Sequence, residues 1–141
     1  MQPRLERLVR GQADRRIILE GWLAGDKLAA LFENATATVL PSQGPDNCPL
    51  VALEALSYGS PLIVTNAGGL PEIAAAESCG FILDAELNGF GTAVQLLLED
   101  RGKATEMRQR ARLAYSTRYS PDVFMRSYLA VLSGYRRNPS N

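Results

Sequence analysis

The chain has 141 residues, 46% of them apolar and 21% charged, and its formal net charge is zero. That length suits one compact domain with a real core, and the composition is ordinary for a soluble globular protein. No apolar run reaches the ~18 residues that a membrane span needs, and the charged start MQPRLERLVR has no apolar signal core, so a cytoplasmic location is the expectation.

The chain contains no histidine and only two cysteines, Cys48 and Cys79, without CxxC spacing. A zinc site is not expected from that set. Ser-His-Asp and Cys-His catalysis within the chain are excluded. Both thiols read as buried or incidental. The charge is unevenly spread: residues 17–100 carry one base, Lys27, against eleven acids, and residues 101–141 carry nine bases against two acids. The C-terminal bases are interleaved with apolar residues at helical spacing. They read as a solvated helix face, and no nucleic-acid partner is expected.

In chain order, residues 2–11 suit a helix with Leu5 and Leu8 on one side. Arg16–Gly21, RIILEG, is a short apolar run and reads as a buried strand. Asp26 is placed to cap a helix whose Leu28, Leu31 and Phe32 fall at i, i+3, i+4. Thr36–Leu40 is β-branched and reads as a second strand, and Pro41–Cys48 as a loop. A helix is predicted from Pro49 to about Tyr58, with Pro at its first position and Gly59 just past its end. Pro61–Thr65 makes a third strand, Asn66–Leu70 a Gly-rich turn, and Pro71 opens another helix. Gly80–Leu83 is a fourth strand. Helices follow near Phe90–Glu99, Ala104–Thr117 and Pro121–Tyr135, the last with Ser120 as cap.

Continuously apolar strands alternating with helices indicate a parallel sheet covered on both faces, an α/β Rossmann-like fold. In such sheets ligands bind outside the carboxyl ends of the strands. The loops after Leu40 and after Thr65 both emerge there.

Glu54 is the one charged residue in PLVALEALSY. The apolar surroundings suggest that both faces of this helix are covered, where a carboxylate is costly unless something bonds to it. Glu54 either caps a neighbouring loop or accepts hydrogen bonds from a ligand's hydroxyls, and a ribose diol suits one carboxylate. Just ahead, the first turn of the helix offers unpaired N–H groups and a positive dipole end, which favour phosphate. Pro49 lacks a donor, so Leu50 and Val51 are the best backbone candidates. Asp46 beside a phosphate would bind neutral sugar hydroxyls, or else form an ordinary Asx turn. Gly68 and Gly69 permit positive φ and close approach of backbone to a ligand. Glu72 reads as a first-turn acid that favours the helix dipole.

The stretch VLPSQGPDNCPLVALEALSYGSPLIVTNAGGLPEI resembles the donor-site signature of the group 1 retaining glycosyltransferases of two-domain GT-B architecture. That family carries a Glu-x7-Glu pattern within PS-xx-E-x-FG-xxx-LEAMA-x-G-x-PV, followed by GG-x-PE-I. The matching residues are Pro41, Ser42, Asp46, Leu53, Glu54, Ala55, Gly59, Pro61, Gly68, Gly69, Pro71 and Glu72. Upstream RIILEGWL, downstream CGFILD and the closing YSPDVFMRSYLAVLSGY also fall where the family has neighbouring elements.

The resemblance implies a C-terminal nucleotide-sugar-binding domain over residues 1–141. Glu54 would bind the nucleotide's ribose, and Asp46 the hydroxyls of the donor sugar; these two acids are the catalytic-site candidates. Asn47, Cys48, Pro49, Leu50 and Val51 would surround the diphosphate, with Gly68 and Gly69 nearby. Trp22 would lie near the base, or serve as a packing aromatic. The family implies transfer with retention by a front-face mechanism, without metal or cofactor. Two departures stand out: Asp46 replaces the usual Glu, and Cys48-Pro49 replaces an aromatic-Gly pair.

The resemblance further implies that the family's cationic diphosphate clamp and its acceptor-binding domain precede Met1, along with the sheet's first two strands. In the doubly wound order 3-2-1-4-5-6 those strands lie between RIILEG and TATVL. Without them TATVL has an open edge, which invites self-association, or RIILEG docks beside it directly. Peripheral membrane association stays open for a full-length enzyme. The competing reading is a non-catalytic nucleotide-sugar-binding module, or degenerate partner, of the same fold.

Overall fold

A computed structural model describes residues 17–84 and 89–137, with side chains to residue 134. The predicted helix over residues 2–11 lies outside the described residues. The elements run α1 (Asp26–Asn34), β1 (Thr38–Leu40), α2 (Leu50–Ser57), β2 (Leu62–Thr65) and α3 (Leu70–Ala75). A short 3-10 turn (Ala76–Ser78) leads to β3 (Gly80–Leu83), and then α4 (Phe90–Glu99) and α5 (Arg101–Ala114). A π-helical turn (Tyr115–Tyr119) joins α5 to α6 (Pro121–Arg137).

The sheet is parallel, in the order β1-β2-β3. Thr38 pairs with Leu62 and Leu40 with Val64 on one side of β2; Leu62 pairs with Gly80 and Thr65 with Leu83 on the other. All four residues of β2 are buried. Successive strand side chains point to opposite faces, so β2 feeds two cores. Leu62 and Val64 pack with Phe32 of α1, Ala52, Ala55 and Leu56 of α2, Leu70 and Ile73 of α3, and Ala111 and Ala114 of α5. Ile63 points the other way, into Phe90, Ala93 and Leu97 of α4 and Met107 of α5. Helices therefore cover both faces, as the unbroken apolar strands require.

Arg108 ties the layers at the start of the sheet. Its guanidinium donates to the carbonyls of Ala35, at 2.6 Å, and Glu33. These lie at the end of α1, where helix carbonyls lack intrahelical donors.

The structure corrects several sequence expectations. Ile17–Gly21 is not a strand, and Ile18 is 72% exposed. A strand needs a neighbour for its ladder. β2 takes both of its neighbours from β1 and β3, and Ile17–Gly21 does not dock beside β1. The outer edge of β1 is thus open among the described residues. Asp26 is the first residue of α1 rather than its cap, and Gly25, at φ 58°, occupies the cap position without a side-chain bond. Pro49 likewise caps α2 instead of opening it. The helix expected at Ala104 starts earlier, because the Asp100 carboxylate accepts from the Lys103 N–H at 2.9 Å. It ends in the π-helical turn instead of running unbroken to Thr117.

The apolar side of α6 is uncovered among the described residues: Phe124, Tyr128, Leu129, Val131 and Leu132 are all exposed. No helix there is long and apolar enough to cross a membrane.

The two cysteines lie in opposite environments. Cys48 is exposed and Cys79 is buried. The Cys79 thiol donates weakly to the carbonyls of Ile73 and Ala74, at 3.6 and 3.7 Å. Burial, aided by the nearby Glu77 carboxylate, pushes its pKa up to about 11. A folded thiol that keeps its proton above the usual range adds stability below the unfolded pKa. That stability is lost as pH rises toward 11. At neutral pH an aromatic disulfide reagent should therefore titrate one thiol per native chain and two in denaturant. Equal native rates at Cys48 and Cys79 would contradict this burial.

Candidate functional site

Because β1 and β2 run parallel, the loops leaving their carboxyl ends meet on one edge of the sheet. Pro41–Pro49 follows β1, and Asn66–Gly69 follows β2. Two hydrogen bonds join them. The Thr65 hydroxyl donates to the Ser42 carbonyl, and the Gly69 N–H donates to the Asp46 carbonyl at 2.8 Å.

The glycine pair has a definite steric reason. A Cβ on Gly68 would lie 2.3 Å from the Asp46 carbonyl oxygen, and one on Gly69 would lie 1.9 Å from that of Asn47. Gly68 also has a φ of 55°, which other L-residues rarely adopt. The close approach that the sequence assigned to a ligand is here an approach to the neighbouring loop.

Asp46 and Asn47 are exposed at this junction. One Asp46 carboxylate oxygen accepts from the Cys48 N–H at 3.0 Å, forming an Asx turn. The other oxygen has no protein donor among the described residues. Asp46 lines a cleft of about 330 Å³ with Pro41, Ser42, Pro49, Val51 and Leu70.

α2 then leads away from the junction. Leu50 and Val51 form its first turn, and Leu50 is 72% exposed. Glu54 follows Leu50 by four residues. It stands on the same helix side, ~6 Å further along the axis at 1.5 Å per residue. Glu54 is exposed, contrary to the expectation of a helix covered on both faces. Only the face of Ala52, Ala55 and Leu56 is buried; the two small alanines let α2 sit close on the sheet. The apolar residues Leu50 and Val51 line open clefts instead of core, so the Glu54 carboxylate keeps its hydration and carries no burial cost.

Glu54 stands on a ridge between two clefts. One, of about 350 Å³, runs to Gly25, Asp26 and Phe32 of α1. The other, of about 470 Å³, runs to Tyr115, Tyr119 and Phe124, with Cys48 at its near end. The sequence reading missed these three aromatics, which only the packing of the π-helical turn brings back to α2. Burial and the Glu72 carboxylate hold the Tyr119 phenol protonated above its ordinary range. Glu72 itself lies in the first turn of α3, as expected.

Trp22 does not serve as a packing aromatic, being 93% exposed. It lies outside the clefts, three residues before Gly25. Among the described residues no Lys or Arg lines the Asp46 cleft or the cleft between Glu54 and α1. Among the described residues no cluster of His, Cys, Asp and Glu could hold a metal ion.

Comparison with known proteins follows the same residues. The model of the family "glycosyl transferases group 1" matches residues 12–114. Sulfoquinovosyl transferase SQD2 of Arabidopsis thaliana is 32% identical over 101 residues, covering 69% of this chain and 19% of that protein. Glycogen synthase of Mycobacterium tuberculosis is 33% identical over 122 residues, covering 83% of this chain and 29% of its own. The structure of sucrose-phosphate synthase from Thermosynechococcus elongatus superposes with a TM-score of 0.80 over 94% of this chain and 35% of its own. At 24% identity that likeness establishes the α/β Rossmann-like fold. The chain spans between 19% and 35% of the length of these proteins. With most of its length matched and the Asp46–Glu54 signature set at the carboxyl edge of the sheet, the chain belongs to the group 1 glycosyltransferases.

Proposed function

We propose that this chain binds the nucleotide-diphosphate sugar of a retaining glycosyltransferase, and that the full-length enzyme moves that sugar to an acceptor. The observation that carries the reading is the row formed by Asp46, the first turn of α2 and Glu54. It offers an acid for sugar hydroxyls, then N–H donors for phosphate, then an acid for ribose, in the order in which those groups follow one another in the donor.

The chemistry of each member supports its place. The Leu50 and Val51 N–H groups lie at the positive end of α2, where a diphosphate gains from both hydrogen bonds and the dipole. Asn47, Cys48 and Pro49 shape the approach to that turn. Glu54, four residues on, accepts from the two ribose hydroxyls. The base then lies toward Gly25 and Asp26, on the side where the exposed Trp22 can reach it. Asp46 spends one oxygen on its own turn and offers the other to the sugar. Gly68 and Gly69 press the second loop against this one and border the sugar end.

Retention follows from a front-face path in which the acceptor approaches on the side the leaving diphosphate vacates. Such a path needs no protein nucleophile, metal or cofactor. The developing charge on the diphosphate needs cations, and among the described residues no Lys or Arg lines the Asp46 cleft. We therefore assign the cationic clamp to the family's first strand–helix unit of this same sheet, and the acceptor site to a second domain of a cytoplasmic enzyme. The same shortage of cations favours one other reading, a non-catalytic nucleotide-sugar-binding module of this fold. A transfer assay on the full-length protein separates the two.

Glu54→Gln keeps the volume and removes charge-assisted bonds worth ~1.5–3 kcal/mol. Nucleoside diphosphate affinity should fall about tenfold or more in calorimetry, and unchanged affinity would refute the ribose role. Asp46→Ala should weaken the nucleotide sugar while leaving the free nucleoside diphosphate nearly unaffected. Equal weakening of both would move Asp46 away from the sugar. The open edge of β1, with Val39 partly exposed, favours pairing with another copy. Light scattering of the 141-residue chain should show mass rising with concentration; a constant monomer mass would overturn that expectation.

A further inference from the structure

We propose that Thr65 is a positioning residue for donor-sugar recognition, setting the place of the Asp46 carboxylate through the backbone without touching the ligand. The inference rests on the reading of Asp46 as the sugar contact.

Thr65 closes β2 after Leu62, Ile63 and Val64, and is 1% exposed. Packing alone would favour Val at such a site, because a buried hydroxyl costs free energy unless it is bonded. The Thr65 hydroxyl has a partner, and that partner is not in the sheet. It is the carbonyl of Ser42, 23 residues earlier, at the start of the loop that carries Asp46. The second tether, from the Gly69 N–H to the Asp46 carbonyl at 2.8 Å, holds the far end of the same stretch.

The first tether begins at the carboxyl end of β2, the one described strand of the sheet buried along its whole length, and the second at Gly69, which caps α3 four residues on. Ser42–Asp46 is exposed throughout. Among the described residues its only other side-chain bonds run from the Gly44 N–H to the Ser42 hydroxyl, at 3.3 Å, and from the Cys48 N–H to Asp46 in the Asx turn. An exposed loop fastened at one point to a buried strand and at another to the cap of α3 has few conformers left to lose. Its carboxylate is thereby pre-organised for the sugar. Free nucleoside diphosphate, held by α2 and Glu54, does not depend on that loop.

The test compares Thr65→Val, Thr65→Ser and Asp46→Ala in the full 141-residue chain. The first measurement needs no ligand: amide hydrogen exchange read by NMR at Cys48 and Gly69, with Ile63 and Leu97 as core reporters. Thr65→Val should speed exchange at Cys48 and Gly69 about fivefold or more relative to the core reporters, consistent with the loss of one hydrogen bond. Thr65→Ser should restore the parent pattern. Uniform acceleration of all four amides, or no change at Cys48 and Gly69, would overturn the positioning role.

The second measurement is calorimetry with UDP, ADP and GDP and their glucose conjugates. Thr65→Val should reduce the preference for a conjugate over its free diphosphate by about the same factor, with Thr65→Ser near the parent. If Asp46→Ala leaves that preference intact, the sugar reading of Asp46 fails, and the exchange pattern alone decides whether Thr65 fixes the loop. If Asp46→Ala abolishes the preference and Thr65→Val leaves it whole, the inference about Thr65 fails alone.

Discussion

The complete burial of β2 is the constraint from which the rest of the structure follows. A strand with Leu62 and Val64 facing one core and Ile63 facing the other must lie inside a sheet with helices on both sides. It must also have a strand on each edge, since its backbone N–H and C=O groups are out of reach of water. β1 and β3 meet that demand, and their parallel direction follows from the helices that connect them. Parallel strands bring successive carboxyl ends to one edge. The site is at that edge because the core requires it, and the loops there inherit the rigidity of the strand they leave.

Two kinds of small residue shape the carboxyl edge of this frame. Ala52 and Ala55 let α2 lie close on the sheet, which aims the first turn of α2 at the loop junction. Gly68 and Gly69 let the second loop touch the backbone of the first. Larger residues at either place would separate Asp46 from α2 or from its tether. Hydrogen bonding adds specificity to that packing: an N–H from one loop and a hydroxyl from β2 fix a segment with no hydrophobic anchor of its own.

The electrostatics are one-sided. Residues 17–100 hold one base against eleven acids, and the two acids of the signature stand exposed. On the proposed reading their carboxylates meet neutral hydroxyls, and phosphate is left to backbone N–H groups and a helix dipole worth a fraction of a charge. The same exposure recurs among apolar residues. Ile18, Val39, Phe124 and Val131 all face outward, on the unpaired segment, the open edge of β1 and the uncovered side of α6. Of these, Phe124 also lines the large cleft beside Glu54.

The sequence alone determined much of this. The apolar strands at 36–40, 61–65 and 80–83 and the helices between them followed from periodicity and from Gly and Pro punctuation, which are local signals. The Asp46–Glu54 spacing placed both acids around one helix start for the same reason. Tertiary structure decided the rest. RIILEG has every local mark of a strand, but a ladder needs a neighbour, and whether one is at hand is not written in those six residues. PLVALEALSY reads as a buried helix, yet only its alanine face is covered. Which apolar side chains are buried depends on what packs against them, so Glu54 proved exposed. The partner of the Thr65 hydroxyl, and the true neighbour of Gly68 and Gly69, depend on two loops meeting across more than twenty residues of chain. Local sequence sets which conformations a segment favours; only the assembled sheet brings distant backbone groups within hydrogen-bonding reach.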